Sequence, residues 1–307
     1  MHKLHRYNKL NTFLKNKFGK RTLKICIDGG FTCPNRDGKC GFGGCIFCGE
    51  RGSGENTKRI SIKEQVANFI NSYRGKRADK YIAYFQNFTN TYDTIDNLKK
   101  KYDEALIDNR IVALAIATRP DCINKEVVNL LSEYKKRGLY VWVELGLQTI
   151  NENVGKIINR GYTNEDFSKA LMLLTDNDID VVTHIMLGLP GEEDDDIYKT
   201  LSFINESRVK GLKIHSTYII KNTALEKLYN ENKYTPITME DYIEKVIYIL
   251  THLREDIVVH RVTGDAPKDL LIAPEFCGRK KWVMNRIENI MASDNLRQGM
   301  YYKHSKN

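Results

Sequence analysis

Ile111-Val-Ala-Leu-Ala-Ile-Ala-Thr118 and Tyr140-Val-Trp-Val-Glu-Leu-Gly-Leu147 are short β-rich runs, and a helical pattern lies between them. A strand, a helix and a second strand in this order are typical of βα units in a parallel sheet. The same alternation continues along the chain, and we expect strands at 23–27, 81–86, 111–118, 140–147, 181–187 and 212–219. Six such repeats predict an α/β fold, a partial (βα)6 TIM-like barrel.

The expected helix ends agree with this alternation. Ser61-Ile-Lys-Glu64 has the sequence of a capping box, Thr163-Asn-Glu-Asp166 resembles one, and Gly138 follows a basic run as a helix stop. Beyond the sixth strand we expect a helix at 239–251, a strand at 257–262 and a helix at 282–292. The predicted organisation is a basic arm at 1–21, the barrel at 22–235 and a C-terminal extension at 236–307 that packs on the barrel.

The composition is ordinary for a water-soluble enzyme, with 41% hydrophobic and 28% charged residues among 307. The sequence has no run of about eighteen apolar residues and no apolar stretch behind its basic N-terminus that resembles a signal peptide. We therefore expect a cytoplasmic protein without a membrane partner.

The formal charge of +9 is unevenly spread. The first 21 residues contain seven lysines and arginines and no acid, interleaved with Tyr7, Phe13 and Phe18. Cations neutralise phosphates and aromatic rings stack on exposed bases, so this arm suits a polyanion such as RNA. A basic arm that only increases solubility is the alternative, and charge alone does not decide between them.

Four of the seven cysteines crowd into one Gly-rich loop after the first expected strand, Cys33-Pro-Asn-Arg-Asp-Gly-Lys-Cys40-Gly-Phe-Gly-Gly-Cys45-Ile-Phe-Cys48. A disulfide framework is not expected in a large unsecreted chain, so the loop indicates metal binding. The other three cysteines are interpreted as small core residues: Cys26, Cys122 and Cys277.

Two metal centres fit these thiols. One is a structural zinc site that uses all four, including Cys40. The other is a [4Fe-4S] cluster on Cys33, Cys45 and Cys48, which leaves one iron open to chelate the amino and carboxylate groups of S-adenosylmethionine (SAM). The cluster is favoured because the loop follows the first strand, where barrel enzymes place their chemistry, and because the Phe47 ring can cover an adenine.

Polar side chains are expected inside the barrel. The period of two places Trp142, Glu144, Gly146 and Gln148 on one face of the fourth strand. A carboxylate inside a barrel must be paired, and a ribose diol is one partner for Glu144. A lysine or a backbone amide is the alternative partner.

The pair Cys45-Ile-Phe-Cys48 resembles the radical SAM superfamily, in which two residues separate the last two cluster cysteines and the second is usually aromatic. The common three-residue spacing before the second ligand is absent, so Cys40 remains an alternative to Cys33. The runs Cys-Pro-Asn-Arg-Asp-Gly and Gly-Gly-Cys-Ile-Phe-Cys look like the motif of the YhcC/YtqA-like (MnmL-type) group, which implies Cys33 as the first ligand.

Further motifs are similar to the radical SAM core of the Elongator catalytic subunit: Thr118-Arg-Pro-Asp121, Val143-Glu-Leu-Gly-Leu-Gln148, Asn159-Arg-Gly161 and the run from His184 to Gly191. The resemblance implies bound SAM, with Glu144 near its ribose. Further candidates for SAM binding are Phe47, Gln86, Gln148, His184, Gly188 and Gly191. The alternatives without a function are an ordinary polar loop at Gln86 and, at His184, a core histidine that is hydrogen-bonded within the protein.

The C-terminal run from His260 to Pro274 also matches the YhcC/YtqA-like group, and Arg261 and Asp265 flank a Thr-Gly turn in it. These two side chains are candidates to grip a charged substrate group, or they form a structural ion pair. Lys213 and His215 on the sixth strand are candidates of the same kind.

The resemblance implies an enzyme that reductively cleaves SAM to a 5′-deoxyadenosyl radical and acts on the wobble uridine of tRNA. The implied reaction converts 5-carboxymethylaminomethyl-(2-thio)uridine to 5-aminomethyl-(2-thio)uridine, and an anticodon loop presents such a base without melting a duplex. An external one-electron donor such as flavodoxin or ferredoxin is implied as well. An Elongator-type acetyl-CoA reaction is not expected. The alternatives are a radical SAM enzyme for a small molecule or a protein, and a non-enzymatic zinc-bearing RNA-binding module.

Overall fold

The computed structural model describes residues 5–52, 57 and 60–303. Seven parallel strands form one sheet, and its two edge strands are the first and the last. In spatial order the strands are β1 (Thr22–Ile27), β2 (Lys80–Phe85), β3 (Ile111–Thr118), β4 (Tyr140–Gln148), β5 (Asp180–Leu187), β6 (Gly211–Ser216) and β8 (Val258–Arg261). Two short strands, β7 (Ile219–Ile220) and β9 (Leu271–Ala273), pair antiparallel beside this sheet.

Helices alternate with these strands and cover the outer face of the sheet. They are α1 (Leu10–Phe18), α2 (Ile62–Asn71), α3 (Ile95–Ala105), α4 (Lys125–Lys136), α5 (Glu152–Ile157), α6 (Asn164–Thr175), α7 (Asp194–Glu206), α8 (Ala224–Asn230), α9 (Met239–His252) and α10 (Lys280–Ser293). No helix in the ranges described above is both long and apolar enough to cross a membrane.

The predicted partial barrel is confirmed, with one more strand than expected. The first five strands end within one residue of their predicted bounds. The sixth ends at Ser216, and Ile219–Ile220 leave the sheet to pair with β9. The strand expected in the C-terminal extension joins the sheet beside β6 as its seventh member, because it pairs backbone groups of β6 that would otherwise form an open edge.

The helix ends expected from the sequence are also present. Ser61 caps α2 and Thr163 caps α6 in reciprocal capping boxes. Gly138 follows α4 with φ at +91°, a left-handed conformation that glycine adopts without steric cost.

The basic arm lies against the barrel. Leu14 of α1 is buried among Ile82, Ala113 and Trp142, which face inward near the amino ends of their strands, so α1 closes that end of the barrel. Phe13 and Phe18 pack against Tyr140, with ring centroids 5.9 and 6.2 Å apart.

The expectation that the aromatic rings of this arm stack on RNA bases is therefore wrong for the residues described. Tyr7 is buried, and the barrel already occupies Phe13 and Phe18. Apolar side chains covering the inner wall gain more from burial there than from exposure on an arm. Residues 1–4 of the arm lie outside the described ranges.

A buried arginine in the Asn-Arg-Gly motif fastens the chain after β4. Arg160 is fully buried. Its guanidinium donates to Leu147 O at 2.7 Å, Thr149 O at 2.8 Å, Tyr162 O at 3.0 Å and Glu152 Oε2 at 3.0 Å. The single planar guanidinium of Arg160 thus hydrogen-bonds to the carbonyls at the end of β4 and links them to α5 and the start of α6.

Replacing Arg160 by lysine should lower the free energy of unfolding by about 3 kcal/mol, because an ammonium cannot reach all of these acceptors and leaves buried carbonyls unpaired. Urea unfolding followed by circular dichroism measures the change. The control is Arg208→Lys at an arginine whose side chain is 57% exposed and pairs with Asp176, where we expect less than about 0.5 kcal/mol. Equal effects of the two substitutions would contradict the role of Arg160.

Candidate functional site

A cavity opens at the carboxyl ends of the strands, and three thiols surround it. Cys33, Cys45 and Cys48 line this cavity. Cys40 does not line it; its side chain is exposed, with Sγ 3.8 Å from Asp121 Oδ2. Of the four cysteines in the loop, folding therefore brings three to one place.

The arrangement of these thiols disfavours a zinc site. A structural zinc site of the expected kind uses all four thiolates, and Cys40 does not line the cavity that the other three share. A four-iron cube is wider than one ion, and three thiols around a shared cavity fit it.

Asparagines and an arginine hold the cysteine loop in its conformation. Arg36 donates to Cys48 O at 3.0 Å and to Gly49 O at 2.6 Å. Asn35 donates to Asn159 O at 2.6 Å, and Asn159 returns a bond to the loop at Gly44 O at 2.8 Å.

The roles of these supporting residues were not predicted. Asn35 and Arg36 lie in the motif around Cys33, and Asn159 begins the Asn-Arg-Gly motif. Both motifs were visible in the sequence. Their mutual contacts were not visible, because Asn35 and Asn159 are 124 positions apart in the sequence and no local pattern links them.

Glu144 lies at the centre of the barrel as a fully buried carboxylate. Its donors are Lys24 Nζ at 3.0 Å, Tyr84 OH at 2.7 Å, Trp142 Nε1 at 3.1 Å, His184 Nε2 at 3.1 Å and Lys213 Nζ. Although burial alone would raise the pKa of Glu144, Lys213 and Lys24 hold it well below its usual value of 4.5. The carboxylate is therefore ionised and bound on every side by protein donors.

Burial lowers the pKa of His184, His215 and Lys213, which surround Glu144. Burial lowers the pKa of His184 to about 4 and that of His215 well below its usual value. Their rings stack with centroids 5.4 Å apart. Burial also lowers the pKa of Lys213 to about 7, although Glu144 opposes the shift.

Most of the predicted cofactor residues do meet at the cavity. Its lining includes Phe47, Gln86, Glu144, Gln148 and His184. Gln148 bends back with φ at +65°, and Gly146 makes room for it, since a Cβ there would lie 2.7 Å from the Gln148 amide nitrogen. The face of β4 predicted to carry Glu144 and Gln148 therefore does point to one place.

Gly188 and Gly191 are not among the residues that line the cavity, and their approach to an adenine stays a prediction. The Gly188 N–H donates to Glu192 Oε2 at 2.7 Å, and the Gly188 carbonyl accepts from Tyr234 OH at 2.5 Å. Ile237, just before α9, lies where a Cβ on Gly188 would be. The turn is thus used to pack the segment before α9 onto the barrel.

The residues predicted to bind substrate lie in different parts of the structure. His215 lines the cavity, whereas Lys213 is engaged by Glu144 below it. Asp265 lies on the surface and pairs with Lys280 at 3.2 Å, so it does not form the alternative ion pair with Arg261. The structural ion pair between Arg261 and Asp265 is therefore wrong as an alternative, whereas their contact with a substrate group stays a prediction.

The three scattered cysteines also differ from one another. Cys277 is buried, as expected of a core residue, and Cys122 is half-buried. Cys26 is exposed on β1, so its predicted place in the core is wrong. It shares the inward face of β1 with Lys24, two residues away, because successive side chains on a strand alternate between faces.

Replacing Glu144 by glutamine should lower the free energy of unfolding at pH 7 by about 3–5 kcal/mol, because Lys24 and Lys213 then lose their buried counter-charge. A carboxylate whose pKa is lowered by folding contributes stability above the unfolded value, and that stability is lost at lower pH. The deficit of the variant should therefore shrink as the pH falls below 4.5, the usual value for glutamate.

Urea unfolding across this pH range measures the deficit. Glu133→Gln is the matched control, since Glu133 is 58% exposed and pairs with exposed Lys99. A deficit that does not change with pH would rule out an ionised Glu144.

Known proteins share both the sequence and the fold of this chain. Residues 36–204 match the Radical SAM superfamily and residues 209–293 match the Radical SAM C-terminal domain. YtqA of Bacillus subtilis, an uncharacterised protein, is 36% identical over 301 residues, 97% of this chain and 93% of that protein. A tRNA uridine(34) acetyltransferase of Methanocaldococcus jannaschii is 32% identical over 169 residues, 54% of this chain and 30% of its own length.

The fold agrees with these matches. The structure of an archaeal Elp3 from Methanocaldococcus infernus superposes with a TM-score of 0.70 at 20% identity, covering 90% of this chain and 64% of that one. Proteins of the matched superfamily are enzymes that use SAM and a [4Fe-4S] cluster, and the cavity ringed by three thiols fits such a cluster. The chain therefore belongs to the radical SAM superfamily, in its YhcC/YtqA-like group.

Proposed function

We propose that this radical SAM enzyme modifies the wobble uridine of tRNA, converting 5-carboxymethylaminomethyl-(2-thio)uridine to 5-aminomethyl-(2-thio)uridine. The observation that carries the proposal is the 32% identity of its barrel to a tRNA uridine(34) acetyltransferase, a protein that by its name acts on the same nucleotide. The net charge of +9 supports a polyanionic substrate. A one-electron donor such as flavodoxin or ferredoxin would be the second partner.

The cluster ligands in this proposal are Cys33, Cys45 and Cys48, because these thiols share one cavity and Cys40 lies outside it. Reductive cleavage of SAM at the cluster supplies a 5′-deoxyadenosyl radical when both cofactors are bound. Burial and the neighbouring thiols raise the pKa of Cys45 to about 12 in the metal-free protein. A bound iron would stabilise the Cys45 thiolate against this effect, because the metal supplies a positive charge beside the sulfur.

The remaining lining residues would bind and orient SAM. Phe47 and Met186 give the cavity an apolar wall for an adenine, and they are supported from behind by Ile46, Val154, Ile158 and Leu189 of the same apolar cluster. Gln86 and Gln148 place amide groups at the strand ends, where they suit a ribose or an amino acid moiety.

Glu144 has a different role in this proposal from the ribose contact first expected. Its oxygens are already bound by Lys24, Tyr84, Trp142, His184 and Lys213, so we assign it to holding the floor of the cavity in place. His184 and His215 above it are neutral at pH 7, because burial lowers the pKa of both rings. Neutral histidine rings add no positive charge that would repel the sulfonium of SAM.

The choice of ligands can be tested with two matched alanine variants. Cys40→Ala should retain the full iron and sulfide content, because this thiol points away from the cavity. Cys33→Ala should lose most of its iron, because one of three ligands is gone. Iron and sulfide analysis with an anaerobic visible spectrum measures both. Loss of the cluster in Cys40→Ala would overturn the assignment.

The substrate can be tested by mass spectrometry of tRNA nucleosides. Cells that lack the gene should accumulate the carboxymethylaminomethyl nucleoside and lose the aminomethyl form. Anaerobic incubation of that tRNA with the purified enzyme, SAM and a reductant should restore the product, and Cys48→Ala, which removes a proposed cluster ligand, should not. An unchanged nucleoside in the presence of an intact cluster would refute the proposal.

A further inference from the structure

The inside of the barrel contains more positive than negative charge. Lys24, Lys213 and Arg261 act electrostatically on the Cys26 thiol from within the barrel, and Glu144 is the carboxylate that acts on it with them. Lys24 and Lys213 both form salt bridges with Glu144. Within the described part of the chain, Arg261 forms no salt bridge or hydrogen bond. A half-buried guanidinium without a protein partner is available to bind an anion.

Arg261 lies at the opening of the barrel. It is the last residue of β8, and β8 and β1 are the two edge strands of the sheet. We call the gap between these two strands the seam. Exposed Cys26 and half-buried Lys24 stand on the β1 side of the seam, and Arg261 stands on the β8 side.

The N-terminal segment pairs with β8 along part of the seam. The segment before α1 pairs with β8 at Val259, whose N–H donates to Asn8 O at 2.7 Å. The pairing stops there, two residues before Arg261. Among the described residues, no backbone pairing joins β1 to β8 at Arg261 itself.

Arg261 also reaches toward the cofactor cavity. After burial, its charge is the largest influence that lowers the pKa of His215, and His215 lines the cavity that the three cysteines surround. The His215 Nε2 atom is buried without a partner among the described residues. Arg261 at the seam is thus close enough for its charge to act on a residue of the cavity lining.

We propose that Arg261 binds the carboxylate of the substrate side chain at the seam and so places the adjacent methylene beside the cofactor cavity. This inference rests on the proposed function, since the carboxymethylaminomethyl group is what supplies the carboxylate. A guanidinium binds a carboxylate through two parallel hydrogen bonds, which fixes its orientation as well as its position. The anion could instead be a tRNA phosphate, and the experiment separates the two sources.

The test compares two tRNAs on the anaerobic holoenzyme. One carries 5-carboxymethylaminomethyluridine at the wobble position and the other carries plain uridine. The wild type should bind the first more tightly. Arg261→Gln should weaken binding of the first about 10- to 100-fold and leave binding of the second unchanged, and Arg261→Lys should recover part of the loss. Arg286→Gln, at an exposed arginine on α10, should change neither affinity.

Each other outcome has a distinct meaning. If Arg261→Gln weakens both tRNAs equally, the residue contacts a phosphate and the inference fails. If the wild type prefers the modified tRNA and Arg261→Gln keeps that preference, the inference fails while the proposed function stands. If the wild type shows no preference, the carboxylate is not recognised and the inference fails, while the nucleoside assay decides the proposed function. The melting temperature of Arg261→Gln should equal that of the wild type, which separates lost binding from lost folding.

Discussion

The carboxylate of Glu144 is the interaction on which the interior of the barrel depends. Strands β1, β2, β4, β5 and β6 each send a donor to it, so one buried charge links most of the sheet through side chains. A buried ion is costly without full compensation, and this one is bound by two ammonium groups and three further donors. The network fixes the inward side chains at one height, between the apolar base closed by α1 and the cofactor cavity above.

A second set of contacts positions the cysteine loop beside the cavity. The cysteine loop follows β1, but its conformation is set from the other side of the barrel by Asn159. The neighbouring Arg160 ties the same segment to the end of β4. The positions of the thiols and of Gln148 are thereby coupled, because both depend on the short segment between α5 and α6. Such coupling fixes the positions of the residues that would bind a cofactor, and it does not require long rigid loops.

The seam between β1 and β8 places one arginine at the edge of the barrel. On the inner face, Glu144 neutralises much of the charge of Lys24 and Lys213, whereas Arg261 at the edge keeps its charge free for a ligand. A closed barrel would bury such a group, and an edge strand leaves it in contact with solvent. The carboxylate proposed to bind there would lie between the solvent side and the cavity of the three thiols.

The sequence by itself determined the order of strands and helices, the capping boxes and the cysteine loop, because these depend on local periodicity and on the chemistry of neighbouring residues. It also placed Glu144, Gly146 and Gln148 on one face, which follows from the period of a strand. Only the tertiary structure decided that Cys40 lies outside the cavity and that the Gly188 turn packs against the segment before α9. The same holds for Phe13 and Phe18, which cover the barrel base, and for Arg261, which has no partner among the residues that the structure describes. Each of these depends on contacts between residues far apart in the chain, which no local pattern records.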